Sequence, residues 1–138
     1  MELHEYRLEL SKRLTETQQK YIYFILAANG TAIGFTVQLI ISKGIMQHLW
    51  ILFIAVFAWG GSFFLGCKYL LSTMSIMNMN LISTITKDSE FRKEIEIKKY
   101  AANDKAVIYF NWMFRLLLTG MCVFILWFFI DQIPNLRL

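Results

Sequence analysis

The sequence predicts an all-α integral membrane protein with three long transmembrane helices, up-down-up, that continue into a cytosolic helical bundle. Three observations predict it. Apolar runs cover residues 21–41, 50–71 and 107–130, each close to the ~20 residues a helix needs to cross a hydrocarbon core. The chain is 57% hydrophobic over 138 residues, with a mean hydropathy of +0.46. That is more apolar surface than so small a domain can hide from water. The polar stretches beside each run keep apolar residues at steps of three and four, so the helices outlast their apolar runs. A transmembrane barrel is excluded, because the runs are too long and lack period-two alternation.

Residues 1–138 read as a single membrane domain, without repeat, low-complexity tract or shift of composition. The first helix is predicted over about 3–42. Leu3, Tyr6, Leu10, Leu14, Thr17, Tyr21 and Phe24 share one face, and no breaker separates the polar start from the apolar run. Ala27, Gly30 and Gly34 form a small-residue strip containing a G-x-x-x-G step, which lets a second backbone come close. Packing within the chain and self-association are both open for that strip. Lys43-Gly44 ends the helix, with Gly44 as cap. A short connection makes the second helix an antiparallel neighbour.

The second helix is predicted over about 49–87. Its small-residue strip is Ala55, Ala58, Ser62 and Gly66, with Trp50 and Tyr69 suited to the two interfaces. Beyond the apolar run, Leu70, Met74, Met77, Leu81 and Ile85 stay on one face, as the inside of a cytosolic bundle. Met74, Met77 and Met79 could alternatively serve as an adaptable binding surface. The segment 87–90 is a turn, with Asp88 or Ser89 able to cap the third helix.

The third helix is predicted over about 90–131. Arg92/Glu96 and Glu94/Lys98 are opposite charges at i,i+4. Tyr109 and Trp112 mark the start of its apolar run, and Asp131 and Pro134 end it. Lys and Arg concentrate in the N-terminal segment (Arg7, Lys12, Arg13, Lys20) and in the long middle connection (Lys68, Lys87, Arg92, Lys93, Lys98, Lys99, Lys105). The positive-inside rule then places the N-terminus in the cytoplasm of a plasma (inner) membrane and the C-terminus outside. The basic connection could touch anionic headgroups. Its own Asp88, Glu90, Glu94, Glu96 and Asp104 nearly offset it, so it reads as a solvated helix face and nucleic acid is not expected. The first apolar run comes after about twenty mixed-charge residues and lacks a small-x-small end, so it reads as retained rather than as a cleaved signal.

Counting helical rise from the two turns puts Asn29, Thr31, Ser62 and Arg115 in one layer, with Asn111 and Thr119 on the face of Arg115. These six form a candidate intramembrane polar node. Arg115 either snorkels to the cytoplasmic interface or holds its guanidinium inside the bundle and lines a polar path.

No catalytic, cofactor or metal site is expected. His4 and His48 fall on opposite sides of the membrane. No H-E-x-x-H, C-x-x-C, P-loop or G-x-S-x-G occurs, and no acidic residue lies in a membrane run. Cys67 and Cys122 sit at different depths and read as packing residues. The chain is therefore not expected to be an enzyme. Its layout is broadly similar to that of small bacterial membrane proteins with cytosolic helical extensions, some of them pore-forming effectors of defence systems, and no motif carries the likeness. The leading expectation is a homo-oligomeric assembly that forms a pore or perturbs the bilayer, with lipid and further copies of itself as partners. The alternative is a non-conducting anchor or accessory subunit that presents a helical bundle to a cytosolic protein.

Overall fold

The computed structural model describes residues 2–43 and 48–132. They form three helices in chain order: α1 (Glu2–Lys43), α2 (Leu49–Ile85) and α3 (Ser89–Gln132). Each is long and apolar enough to cross a membrane. The predicted cap at Gly44, the closing Pro134 and the tail beyond it lie outside the described residues.

The helices start and stop for local reasons. His48 precedes α2 in the left-handed region (φ 68°), and its carbonyl accepts the Ile51 N–H at 3.0 Å. At the far end of α2 the Thr86 backbone turns extended while its N–H still reaches the Ile82 carbonyl (3.0 Å). Asp88 caps α3: its Oδ1 accepts the Glu90 N–H at 3.0 Å, satisfying one of the free donors of a helix start. Arg92 closes this turn by donating to the Thr86 carbonyl (3.0 Å) instead of pairing with Glu96. The Glu94–Lys98 pair does form, at 2.7 Å, and the Lys98 hydrogen bond holds the Glu94 carboxyl below its ordinary range.

Packing is uneven. α2 and α3 are in contact along much of their length, α1 lies against α2 more sparsely, and α1 and α3 hardly meet. The core joins Ile22 and Ile25 of α1, Ala55 and Trp59 of α2, and Met113 and Leu117 of α3. Burial of such side chains drives the contact in water; in lipid, close packing and hydrogen bonds must do so.

One expectation needs correction. The apolar face predicted as the inside of a cytosolic bundle is uncovered: Met74, Met77, Leu81 and Ile85 are exposed, and Leu70 alone of that face packs against the core. The apolar side chains of α1 in the same half, Tyr6, Leu10, Leu14, Tyr21 and Phe24, are exposed as well. The reason is rotational. α1 turns Lys12, Thr15, Glu16 and Gln19 toward α2, where with Met77, Asn80, Leu81 and Thr84 they line an open groove of about 500 Å³. The polar side of α1 thus meets the apolar side of α2, bridged by a long Gln19 Nε2 to Met77 Sδ contact of 3.6 Å. Ile95 and Ala106 of α3 are buried in this half.

Candidate functional site

Asn29 lies on the inner side of α1, one turn after Ile25. Its Nδ2 donates to Ser62 Oγ of α2 at 3.0 Å, and Ser62 Oγ donates to the Met113 carbonyl of α3 at 2.8 Å. Asn29 and Ser62 are both fully buried. The result is a polar relay that ties all three helices at one level. A helical carbonyl has a second lone pair, so Met113 can accept Ser62 without surrendering its place in the α3 ladder. Among the described residues, two buried polar atoms stay unpartnered, Asn29 Oδ1 and the indole Nε1 of Trp59.

Small residues let the helices approach around this relay. Ala55, Ala58, Ser62 and Gly66 of α2 are all buried. A Cβ at Gly66 would lie 2.7 Å from Leu26 Cδ2 of α1 and 3.1 Å from Met113 Sδ of α3, and one at Gly61 would lie 3.2 Å from Leu116 Cδ1. The tightest approach is at Gly120, which belongs to neither predicted strip. There a Cβ would come within 2.5 Å of Trp59 Nε1 and 2.6 Å of its Cδ1, so the indole lies directly on the glycine. Gly120 has no small residue four positions away to announce it. The available signal is a lone helical glycine about one turn from the level of a large aromatic on the neighbouring helix.

No protein-family model, curated protein or solved structure matches this chain.

Above and below the relay, α1 and α3 part over α2. Toward the N-terminal half of α1, Thr17, Tyr21, Ile22, Tyr69 and Phe110 line a groove of about 380 Å³. On the other side, Ala32, Phe35, Thr36, Trp59 and Phe124 line an apolar groove of about 290 Å³. The buried Ile25, Asn29, Ser62, Met113 and Leu117 fill the level between them. The relay is fully buried at this level.

The remaining residues of the predicted node lie elsewhere. Thr31, Asn111, Arg115 and Thr119 are exposed on the outer sides of α1 and α3. Thr31 Oγ1 turns back to the Ala27 carbonyl (2.9 Å) and Thr119 Oγ1 to the Arg115 carbonyl (2.8 Å). The Arg115 guanidinium lies 5.8 Å from the centre of the Trp112 ring, one turn toward the N-terminus of α3. That is the direction in which helical side chains lean and in which snorkelling carries a long stem. Counting rise gives a residue its level but not its direction around the helix, so the six residues of the node split into an inner pair, Asn29 and Ser62, and four outer ones. Ala27, Gly30 and Gly34 are exposed too, and a Cβ at Gly30 or Gly34 would meet nothing within 4 Å. Among the described residues, these two glycines pack against no other helix of the chain.

Proposed function

We propose that this chain is an integral protein of a plasma (inner) membrane that assembles with copies of itself and, in doing so, opens a pore or perturbs the bilayer. The observation that supports it best is the outward placement of polar groups within the apolar run of α3: Asn111, Arg115 and Thr119 are exposed in the single chain. Charged and polar residues in a membrane helix are costly facing lipid and normally face protein or a wet cavity. Asn29 and Ser62 are fully buried at the centre of the chain, which supports a path between copies over one through a single copy. The Lys and Arg distribution orients the N-terminus and the middle connection to the cytoplasm.

The alternative is a non-conducting anchor or accessory subunit. The uncovered Met74, Met77, Leu81 and Ile85 favour it, since an apolar helix face beside the membrane offers a partner a place to bind.

The experiment is inducible expression with a membrane-potential dye, together with the mass of the purified protein in a mild detergent. Assembly with loss of potential is the expected result. Assembly at unchanged potential moves the reading to the accessory subunit. A monomer with unchanged potential defeats the pore.

A further inference from the structure

Two stripes on the outer edges of this molecule match each other. On α1, Ala27, Gly30, Thr31, Gly34 and Gln38 are exposed along the side turned away from α2. On α3, Asn111, Arg115, Thr119 and Cys122 are exposed along the side turned away from α2. Steps of three and four keep each set on one line. The relay fixes their relative height: Asn29 and Met113 share a level through Ser62. α1 and α3 run in the same direction, so Ala27 stands level with Asn111, Thr31 with Arg115 and Gln38 with Cys122. The two stripes occupy the same stretch of the helix axis, one on the outer side of α1 and the other on the outer side of α3.

Their chemistry is complementary. The α3 stripe is rich in donors, with five N–H groups on a guanidinium and an amide on Asn111. The α1 stripe offers the Thr31 hydroxyl, the Gln38 amide oxygen and helix carbonyls beside two glycines with open space over them. Neither apolar run contains an acidic residue, so acceptors of this kind are what the span can offer Arg115.

Resting on the reading of a self-assembling membrane protein, we propose that the α1 edge of one copy docks on the α3 edge of the next, at equal height and with helices parallel. The partner is a second copy of this chain. The contact is heterologous, using a different surface on each copy, so repeating it about an axis along the membrane normal closes a ring where the rotation divides a full turn. Equal height is what such a rotation requires; a mismatch would generate a spiral that leaves the membrane. In the contact, Arg115 moves from the Trp112 ring toward the Thr31 level of the neighbour, which relieves a cation otherwise facing lipid.

The test is cysteine cross-linking in membranes, in a chain carrying Cys67→Ala and Cys122→Ser. One tagged chain carries Gly34→Cys, a position with room for the new side chain. A second, differently tagged chain carries Thr119→Cys. Copper-phenanthroline oxidation of the mixture should give a disulfide-linked dimer bearing both tags, several-fold in excess of either like-with-like product. A chain with both cysteines should give a ladder of trimers and higher species. Adding Arg115→Met should cut that ladder several-fold, and Arg115→Lys should retain most of it. A like-with-like product at Gly34 alone, a ladder indifferent to Arg115→Met, or no cross-link from a protein that is oligomeric in mild detergent would each overturn the α1–α3 contact while leaving self-assembly standing. A monomer in mild detergent that does not cross-link in membranes would remove both readings.

Discussion

Gly120→Ala tests the packing most directly. The added Cβ would lie 2.5 Å from Trp59 Nε1 and 3.0 Å from Cε2, against about 3.5–4.0 Å for a comfortable contact. The indole must retreat by about 1 Å. It has little room to do so: Trp59 is 4% exposed, its ring is 5.7 Å from that of Phe124, and Phe124 is backed at 5.9 Å by the buried Trp127. Overpacking of this kind costs about 1–3 kcal/mol. Alanine also gains about 1 kcal/mol over glycine in helix propensity, which masks part of the loss. Gly30→Ala is the control, because it has the same propensity gain and meets nothing within 4 Å. The two variants should therefore differ by about 1–3 kcal/mol in unfolding, with Gly120→Ala the weaker. Equilibrium unfolding by a denaturing detergent titrated into mild micelles, followed by tryptophan fluorescence, measures the difference. Trp59→Phe removes the nearest atom and should shrink the cost of Gly120→Ala in a double-mutant cycle. Coincident unfolding curves for Gly120→Ala and Gly30→Ala, with no coupling to Trp59, would refute the close approach.

Three further outcomes are expected. Ser62→Ala removes both bonds of the relay, at about 0.6 kcal/mol each in membrane bundles, and should cost about 1–2 kcal/mol; Asn29→Ala combined with it should cost less than the two singly, and strict additivity in the same titration would speak against the relay. Glu94 should titrate by carboxyl NMR below 4.5 because of Lys98, and return to the ordinary range in Lys98→Met. As its carboxyl is held low in the folded state, the small stabilisation is present at neutral pH and fades as pH falls through the folded value; identical titration in both proteins would exclude the pair. In a Cys67→Ala, Cys122→Ser background, Ser42→Cys should react with an impermeant thiol reagent from outside intact cells and Ser89→Cys should not, and the reverse pattern would invert the topology.

The three helices are legible in the sequence because each apolar run is long and each polar extension keeps the same spacing. The level of the relay is legible too: few residues separate the two helices, so Asn29 and Ser62 can be matched by counting. Direction around the helix is legible for α2, whose small-residue strip is buried, but not for α1 and α3. Nothing in the order of residues says that α1 presents Lys12, Glu16 and Gln19 to α2 and leaves Leu10 and Leu14 outside. That choice is made where Ile22, Ile25 and Asn29 seat on α2, and the rest of a stiff helix must go with them. Gly120 is hidden for a related reason, since its partner is a single indole on another helix and no spacing rule within α3 encodes it.

The open space over Gly30 and Gly34 bears on how this sequence can drift. Gly120 is constrained from inside the chain, because a larger residue strikes Trp59. Gly30 and Gly34 are not: with respect to the chain's own fold, each could become alanine and gain about 1 kcal/mol of helix propensity in water. Random substitution in a lineage of solitary copies would soon fill both positions. Descendants that keep glycine at 30 and 34 while varying the exposed Phe24 and Ile41 would carry the imprint of a neighbour, written into a surface that the single molecule leaves bare.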